Sequence, residues 1–234
     1  MADAYLHPPR SMPTYAVRAP LALWLDREAK RAHDEIGRYR VLDVGCGVKP
    51  YRSLFAPYSA SYVGVDPVRN PYAELEGSAE ALPIADGSFD VVLCTQVLEH
   101  CDDPALAVRE LRRVTAPGGC VLASTHGVMP YHPSPTDYWR WTHAGLEKLF
   151  VENGVWTSVR VTPASGTTAC VAMIISLNIS LALRRAGLGA LARPIVAALN
   201  GTAEAMDSRS SRLRTPNQGG TLFANFHVVA EVAR

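Results

Sequence analysis

The 234-residue chain is predicted to fold as an α/β domain: a doubly wound sheet with an antiparallel C-terminal strand pair, plus a helical insertion. Three observations carry this reading. Short, largely apolar runs recur over the first 126 residues, the pattern of strands buried on both faces of a parallel sheet. Stretches with helix start and stop signals separate them. Two alternating segments then follow, with an apolar stretch between them that breaks the alternation.

Residues 1–18, rich in Pro, Tyr and Arg, read as irregular, and no apolar core of a secretory leader stands among them. "PLALWLDREAKRAHDEIG" (Pro20–Gly37) reads as a helix, with Pro near its start, Gly at its end and Leu21, Trp24, Leu25 and Ala29 on one side. Strands are predicted at "RVLDVGCG", "SYVGVD" (Ser61–Asp66), "FDVVLCTQ" (Phe89–Gln96) and "GCVLASTH" (Gly119–His126). A helix over Asp102–Gly119 has an Asp cap, Pro104 in its first turn and a Pro-Gly-Gly stop. Another over Thr142–Gly154 has a Thr cap and a Gly end, and Trp156–Ala164 and Phe223–Ala233 alternate as strands. Within Thr168–Asn200 the apolar run Ala169–Leu183 holds Ser176, Asn178 and Ser180. It falls short of the ~20 apolar residues of a bilayer span. A packed helical insertion is expected there; a lid over a lipophilic substrate, a homodimer face, a membrane-peripheral contact through 168–200 and a transmembrane span are the alternatives. The predicted layout is one domain: an N-terminal cap region 1–37, a core 38–165, the helical insertion 166–215 and a last strand region 216–234.

With 48% hydrophobic and 19% charged residues the chain can build a core without disulfides. Its charges nearly cancel, 23 basic against 22 acidic, so no nucleic-acid partner is expected. The five cysteines are scattered without a CxxC pair, which suits reduced, buried thiols in the cytoplasm and no metal site.

"VLDVGCGVKPY" (Val41–Tyr51) ends an apolar strand on Gly45 and Gly47, where the backbone can turn sharply and approach a ligand. Asp66 closes the next strand, placed to accept both hydroxyls of a ribose. A dinucleotide would want a third glycine where Pro50 stands, and Asp43 would repel its pyrophosphate. S-adenosylmethionine (SAM), which carries an ammonium and a sulfonium, suits an acidic turn. "VLDVGCG", "YVGVD", "GSAEALPIADGSFDVVLCTQVLEH" and "LRRVTAPGGCVLAST" together resemble, in order and spacing, the class I SAM-dependent methyltransferases, a Rossmann-like family. The likeness is to the type 11 group with small-molecule, quinone-type or glycan-type acceptors. It implies that Asp43, Gly45 and Gly47 line the methionine part of SAM and that Asp66 binds the ribose, with Pro67 and Val68 at the adenine edge. It places Ala79, Glu80 and Leu82 around the adenine, and Gln96 and Val97 beside the sulfonium. Lys49 and Ser78 depart from the glycine and aspartate the family often has.

Methyl transfer to a hydroxyl needs alignment and a base. "THGVMPYHPSPTDYWRWTH" (Thr125–His143) follows the fourth strand at the ligand edge. Tyr131, Tyr138, Trp139, Arg140 and Trp141 are candidate acceptor contacts, with anchoring of the loop as the alternative for the tryptophans. His132 oriented by Asp137, His100 and His126 are the candidate bases, each with a structural role as its alternative. Glu110 and Arg113 read as a solvated helix pair. The function predicted is methylation of an O, N or C nucleophile on a small, lipophilic or glycosylated metabolite of a natural-product or cell-envelope pathway. The alternatives are a non-catalytic SAM-binding regulatory module and, disfavoured by Pro50, a nicotinamide oxidoreductase.

Overall fold

The computed structural model describes residues 3–216 and 219–234. Seven strands form one sheet: β1 (Tyr39–Val44), β2 (Ser59–Asp66), β3 (Leu75–Glu76), β4 (Phe89–Thr95), β5 (Thr115–His126), β6 (Ser158–Pro163) and β7 (Asn225–Glu231). Their order is β3-β2-β1-β4-β5-β7-β6. The first five are parallel, and β7 runs antiparallel to both of its neighbours. The order reverses between β1 and β4, so a crevice for a ligand opens at the carboxyl ends of those strands.

Both faces of the sheet are covered, which is why its central strands read as continuous apolar runs. Leu42, Val44, Val92, Cys94, Val121 and Ala123 face α4 (Pro104–Val114) and α5 (His143–Glu152) through Leu111 and Phe150. Val41, Val91, Leu93 and Leu122 point the other way, against Leu21, Trp24, Leu25 and Ala29 of α2 (Tyr15–Ile36). Fully burying a side chain of this size contributes about 1.5–3 kcal/mol.

Several boundaries shift from the sequence reading. The N-terminal segment is not irregular throughout: α1 (Asp3–Leu6) forms, and α2 begins at Tyr15, so Pro20 lies inside the helix. Burial of Ala16, Val17 and Leu21 outweighs the one lost i→i−4 bond. The expected Asp cap of α4 is Asp103, which accepts from the Ala105 and Leu106 amides at 2.9 and 3.0 Å, so the helix proper starts at Pro104. The Pro-Gly-Gly expected to stop that helix belongs to β5, which starts at Thr115. The short α3 (Arg52–Phe55) and β3 carry no periodic signal and are absent from the sequence reading. Glu110 and Arg113 are not a solvated pair: Glu110 accepts from the Leu82 amide, and Arg113 donates to the Leu82 and Ile84 carbonyls, pinning the segment between β3 and β4.

The stretch after β6 is a hairpin of two helices, α6 (Thr167–Arg185) and α7 (Gly189–Arg209). Asp207, buried near the end of α7, closes it at the base. Its carboxylate accepts from the Thr168 and Ala169 amides at 3.1 and 3.0 Å and from the Thr168 hydroxyl, capping α6. Cys170 and Met173 of α6 pack on Ala16 and Val17 of α2.

Candidate functional site

The glycine turn is built by backbone and by one carboxylate. Gly45 has φ +66° and Gly47 φ +49°, a region that costs an L-residue energy. The Gly45 and Cys46 amides both donate to the Val65 carbonyl, at 2.8 and 3.1 Å. A Cβ on Gly45 would run into the side chain of Val97, whereas one on Gly47 would meet open space. Asp66, half-buried at the end of β2, accepts from the Gly47 amide (2.9 Å) and the Val68 amide (3.0 Å). The acidic residue therefore braces the turn while standing at its mouth, with Pro67 and Val68 exposed beside it.

Lys49 takes the left-handed conformation itself, at φ +52°. Its buried stem runs beneath Gly64, and its ammonium bonds both carboxylate oxygens of Glu74, which also accepts from the Gly64 amide at 2.6 Å. Asp43 is 4% exposed and accepts the Tyr62 hydroxyl at 2.7 Å. Burial pushes its carboxyl up to about 7, opposed by the Tyr62 hydrogen bond and the nearby Lys49. Ala79 and Leu82 are buried in the main core cluster. Glu80 braces the start of α4 by accepting from the Asp103 amide, and its second oxygen takes the Ser78 hydroxyl at 3.3 Å.

Beside this turn lies a cavity of about 330 Å³. Tyr5, Thr14, Val17, Arg18 and Leu21 form its N-terminal wall; Tyr51, Gln96, Glu99, His100, His126, Met129 and His132 form the rest. Arg18 stacks its guanidinium over the Tyr5 ring at 4.2 Å, tying the wall together. A buried polar chain runs along one side. The Gln96 amide donates to the Ser124 hydroxyl at 2.8 Å, and the Asn225 amide donates to Gln96 Oε1 (3.1 Å) and to His126 Nδ1 (3.3 Å). His126 Nε2 then lies 3.2 Å from Glu99 Oε1, without hydrogen-bond alignment, while Glu99 Oε2 accepts the Thr125 hydroxyl at 2.8 Å. Glu99 has no exposed surface, and burial pushes its carboxyl up to about 7. Burial takes His126 down to about 3, so its imidazole is neutral.

These contacts set the histidine tautomers. A side-chain N–H donates to His126 Nδ1, so the neutral ring carries its proton on Nε2. His100 Nδ1 lies 2.9 Å from the Thr136 carbonyl, which can only accept, so its proton sits on Nδ1 and its Nε2 lone pair is left open. Burial also lowers the His100 pKa, which favours the neutral ring. The His132 ring packs edge-on against both, with centroids 5.1 Å from His100 and 5.8 Å from His126.

Asp137 is committed elsewhere. Its side chain is fully buried and bonds both terminal nitrogens of Arg140, which hold it down to about 2; its Oδ2 is 3.8 Å from His132 Nε2. Arg140 also donates to the Met129 and Pro130 carbonyls. Trp139 donates its indole N–H to the Cys101 carbonyl at 2.8 Å and stacks on Trp141, which packs against the core. Tyr131 and Tyr138 are exposed, and none of these five candidate acceptor contacts lines the cavity. The structure thus brings together Gln96, His100, His126 and His132 from the candidates, and adds Glu99, Asn225 and the N-terminal wall, which the sequence reading missed. The sole sequence signal for them is Glu99, one charged residue in "QVLEH". Among the described residues no cluster of side chains could hold a metal ion.

Comparison with known proteins adds relatives to this geometry. Residues 42–123 match the family model of a methyltransferase domain. An uncharacterised methyltransferase of Mycobacterium sp. (strain JLS) is 41% identical over 98 residues, covering 38% of this chain and 39% of that protein. The ubiquinone biosynthesis O-methyltransferase of Pseudomonas aeruginosa (strain LESB58) is 36% identical over 120 residues, covering 44% and 48%. The chain thus spans less than half the length of these curated relatives. Among solved structures, a SAM-dependent methyltransferase from Archaeoglobus fulgidus superposes with a TM-score of 0.54 at 13% identity, over 89% of this chain and 93% of that one. The [4+2]-cyclase SpnF superposes with a TM-score of 0.54 at 18% identity, over 89% and 80%. At such identities the likeness establishes the fold, and a cyclase among the neighbours shows that one fold serves more than one reaction.

Proposed function

Residues 42–123 carry a class I SAM-dependent methyltransferase domain, and from that premise we propose that the protein methylates an O, N or C nucleophile on a small, lipophilic or glycosylated metabolite. The observation that carries this is the cavity beside the glycine turn, whose wall presents a histidine with an open lone pair. The residues at the turn suit the cofactor. Gly45 and Gly47 hold the left-handed backbone of the turn, the space beside Gly47 is open, and Asp66 is fixed by two amides with lone pairs to spare for a ribose. When bound, SAM supplies a methyl group on a sulfonium, an electrophile that needs no acid.

The chain's own task is to hold an acceptor and take its proton. His100 is the base in this reading: the Thr136 carbonyl fixes its Nδ1–H, so Nε2 is turned out as an acceptor. His126, which also lines the cavity, has its proton on Nε2 and its Nδ1 engaged by Asn225, and orients the acceptor in this reading. The apolar residues Val17, Leu21 and Met129 suit a lipophilic body, and the Pseudomonas aeruginosa relative's part in ubiquinone biosynthesis supports a hydroxylated lipophilic acceptor.

Calorimetry with SAM, followed by transfer of radiolabel to a panel of hydroxylated lipophilic and glycosylated acceptors, tests the reading. Asp66→Ala is expected to weaken SAM binding by at least tenfold. His100→Gln is expected to keep SAM affinity and lose about 100-fold in turnover. SAM binding without turnover on any acceptor would favour the regulatory module, and label on protein or RNA alone would overturn the acceptor class.

A further inference from the structure

The α6–α7 hairpin buries only one side. Cys170 and Met173 face the body, while Val171, Ile175, Leu181, Leu188, Leu191 and Ile195 are between 40% and 54% exposed. These six lie along α6, its connection and the start of α7. Charge is as lopsided as polarity. From residue 153 to residue 203 the chain has no Asp or Glu, and Arg184, Arg185 and Arg193 gather at the closed end of the hairpin. Among the described residues none of these three makes an ion pair.

We propose that this outer face of the hairpin lies on an anionic lipid surface, with its leucines and isoleucines at the acyl boundary and its arginines against lipid phosphates. An apolar face flanked by unpaired cations is what interfacial helices present. The helix rests on the surface and does not cross it. Although α6 is long and apolar enough to span by length and composition, its start is capped by Asp207, and its other side packs on α2. The exposed Asn178 satisfies itself by donating to the Ile174 carbonyl at 2.8 Å. A second copy of the chain fits less well, because a two-fold contact on this face brings two sets of the same arginines together with no carboxylate between them. The side of α6 opposite the docked face reaches toward the cavity: Cys170 and Met173 pack in one cluster with Val17 and Met129, both of which line it. The lipid contact rests on the outer face alone and does not depend on methyl transfer.

Flotation of the full chain with vesicles tests it without cofactor or acceptor. Binding to vesicles of phosphatidylcholine with phosphatidylglycerol is expected, weakening with added salt, and little binding to phosphatidylcholine alone. Arg184→Gln, Arg185→Gln and Arg193→Gln together are expected to lower affinity for the anionic vesicles about 100-fold. Leu188→Ser, Leu191→Ser and Ile195→Ser together are expected to abolish flotation, and since all six positions are exposed, thermal unfolding should stay near that of the parent. Equal binding to both vesicle types, or none to either, overturns the proposal. So does a parent dimer in light scattering that the serine substitutions convert to monomer, which would assign the face to a second copy.

Discussion

Glu99→Gln isolates the buried carboxyl beside the cavity. Burial raises Glu99 from 4.5 to about 7 in the folded protein. A carboxyl raised in this way binds more protons folded than unfolded between those values, so its contribution to stability is present below pH 4.5 and is lost as pH climbs through 7. The shift corresponds to about 3 kcal/mol at its full extent. Between pH 5 and pH 8 the parent is expected to lose about 2–3 kcal/mol through this group alone. Asp43, raised to about 7, adds a loss of the same sign, and His126, lowered to about 3, acts with the opposite sign below pH 6.5. Both persist in Glu99→Gln, so the difference between the two proteins reports on Glu99. Urea unfolding at half-unit pH intervals measures it. The amide keeps the acceptor for the Thr125 hydroxyl and carries no titrating proton. The variant should gain on the parent steadily as pH rises. A difference that stays flat within about 0.5 kcal/mol would show that Glu99 titrates as an ordinary surface carboxyl, and the account of the buried chain would fail.

The two glycines of the turn should behave differently. Gly47→Ala carries only its backbone conformation, about 1–2 kcal/mol in unfolding free energy. Gly45→Ala carries that and the collision with Val97, so it should lose at least about 1 kcal/mol more and should weaken SAM binding in calorimetry; equal losses would count against the packing described. Arg140→Ala strands the buried Asp137 carboxylate and is expected to cost about 3 kcal/mol in chemical unfolding, with faster proteolysis of the 129–141 loop; an unchanged midpoint would mean that the loop is held by other contacts. In the parent, Asp137, held near 2, stabilises above pH 3.8, and this part of the stability should fall away as pH drops from 3.8 toward 2.

Much of the frame was legible without coordinates because it rests on local patterns. Apolar runs marked β1, β2, β4 and β5, since the stretches of these strands that the helices cover on both faces are largely apolar. Thr142 marked the start of α5 because capping involves only a few adjacent residues. Where a local signal competed with packing, packing prevailed: Pro20 ended up inside α2, and the Pro-Gly-Gly run joined β5.

The amino-acid sequence by itself determined the alternation of strand and helix, the glycine turn and the acidic end of β2, each written within a window of a few residues. Only the tertiary structure decided which histidine has a free lone pair, that Glu99 is fully buried, that Arg140 claims Asp137, and that Tyr5 and Arg18 wall the cavity. The physical reason is that protonation and tautomer depend on desolvation and on which donor or acceptor stands opposite. Those partners come from other parts of the chain: Thr136 faces His100, Asn225 faces His126, and Asp207 closes a helix that begins 40 residues earlier, at Thr167.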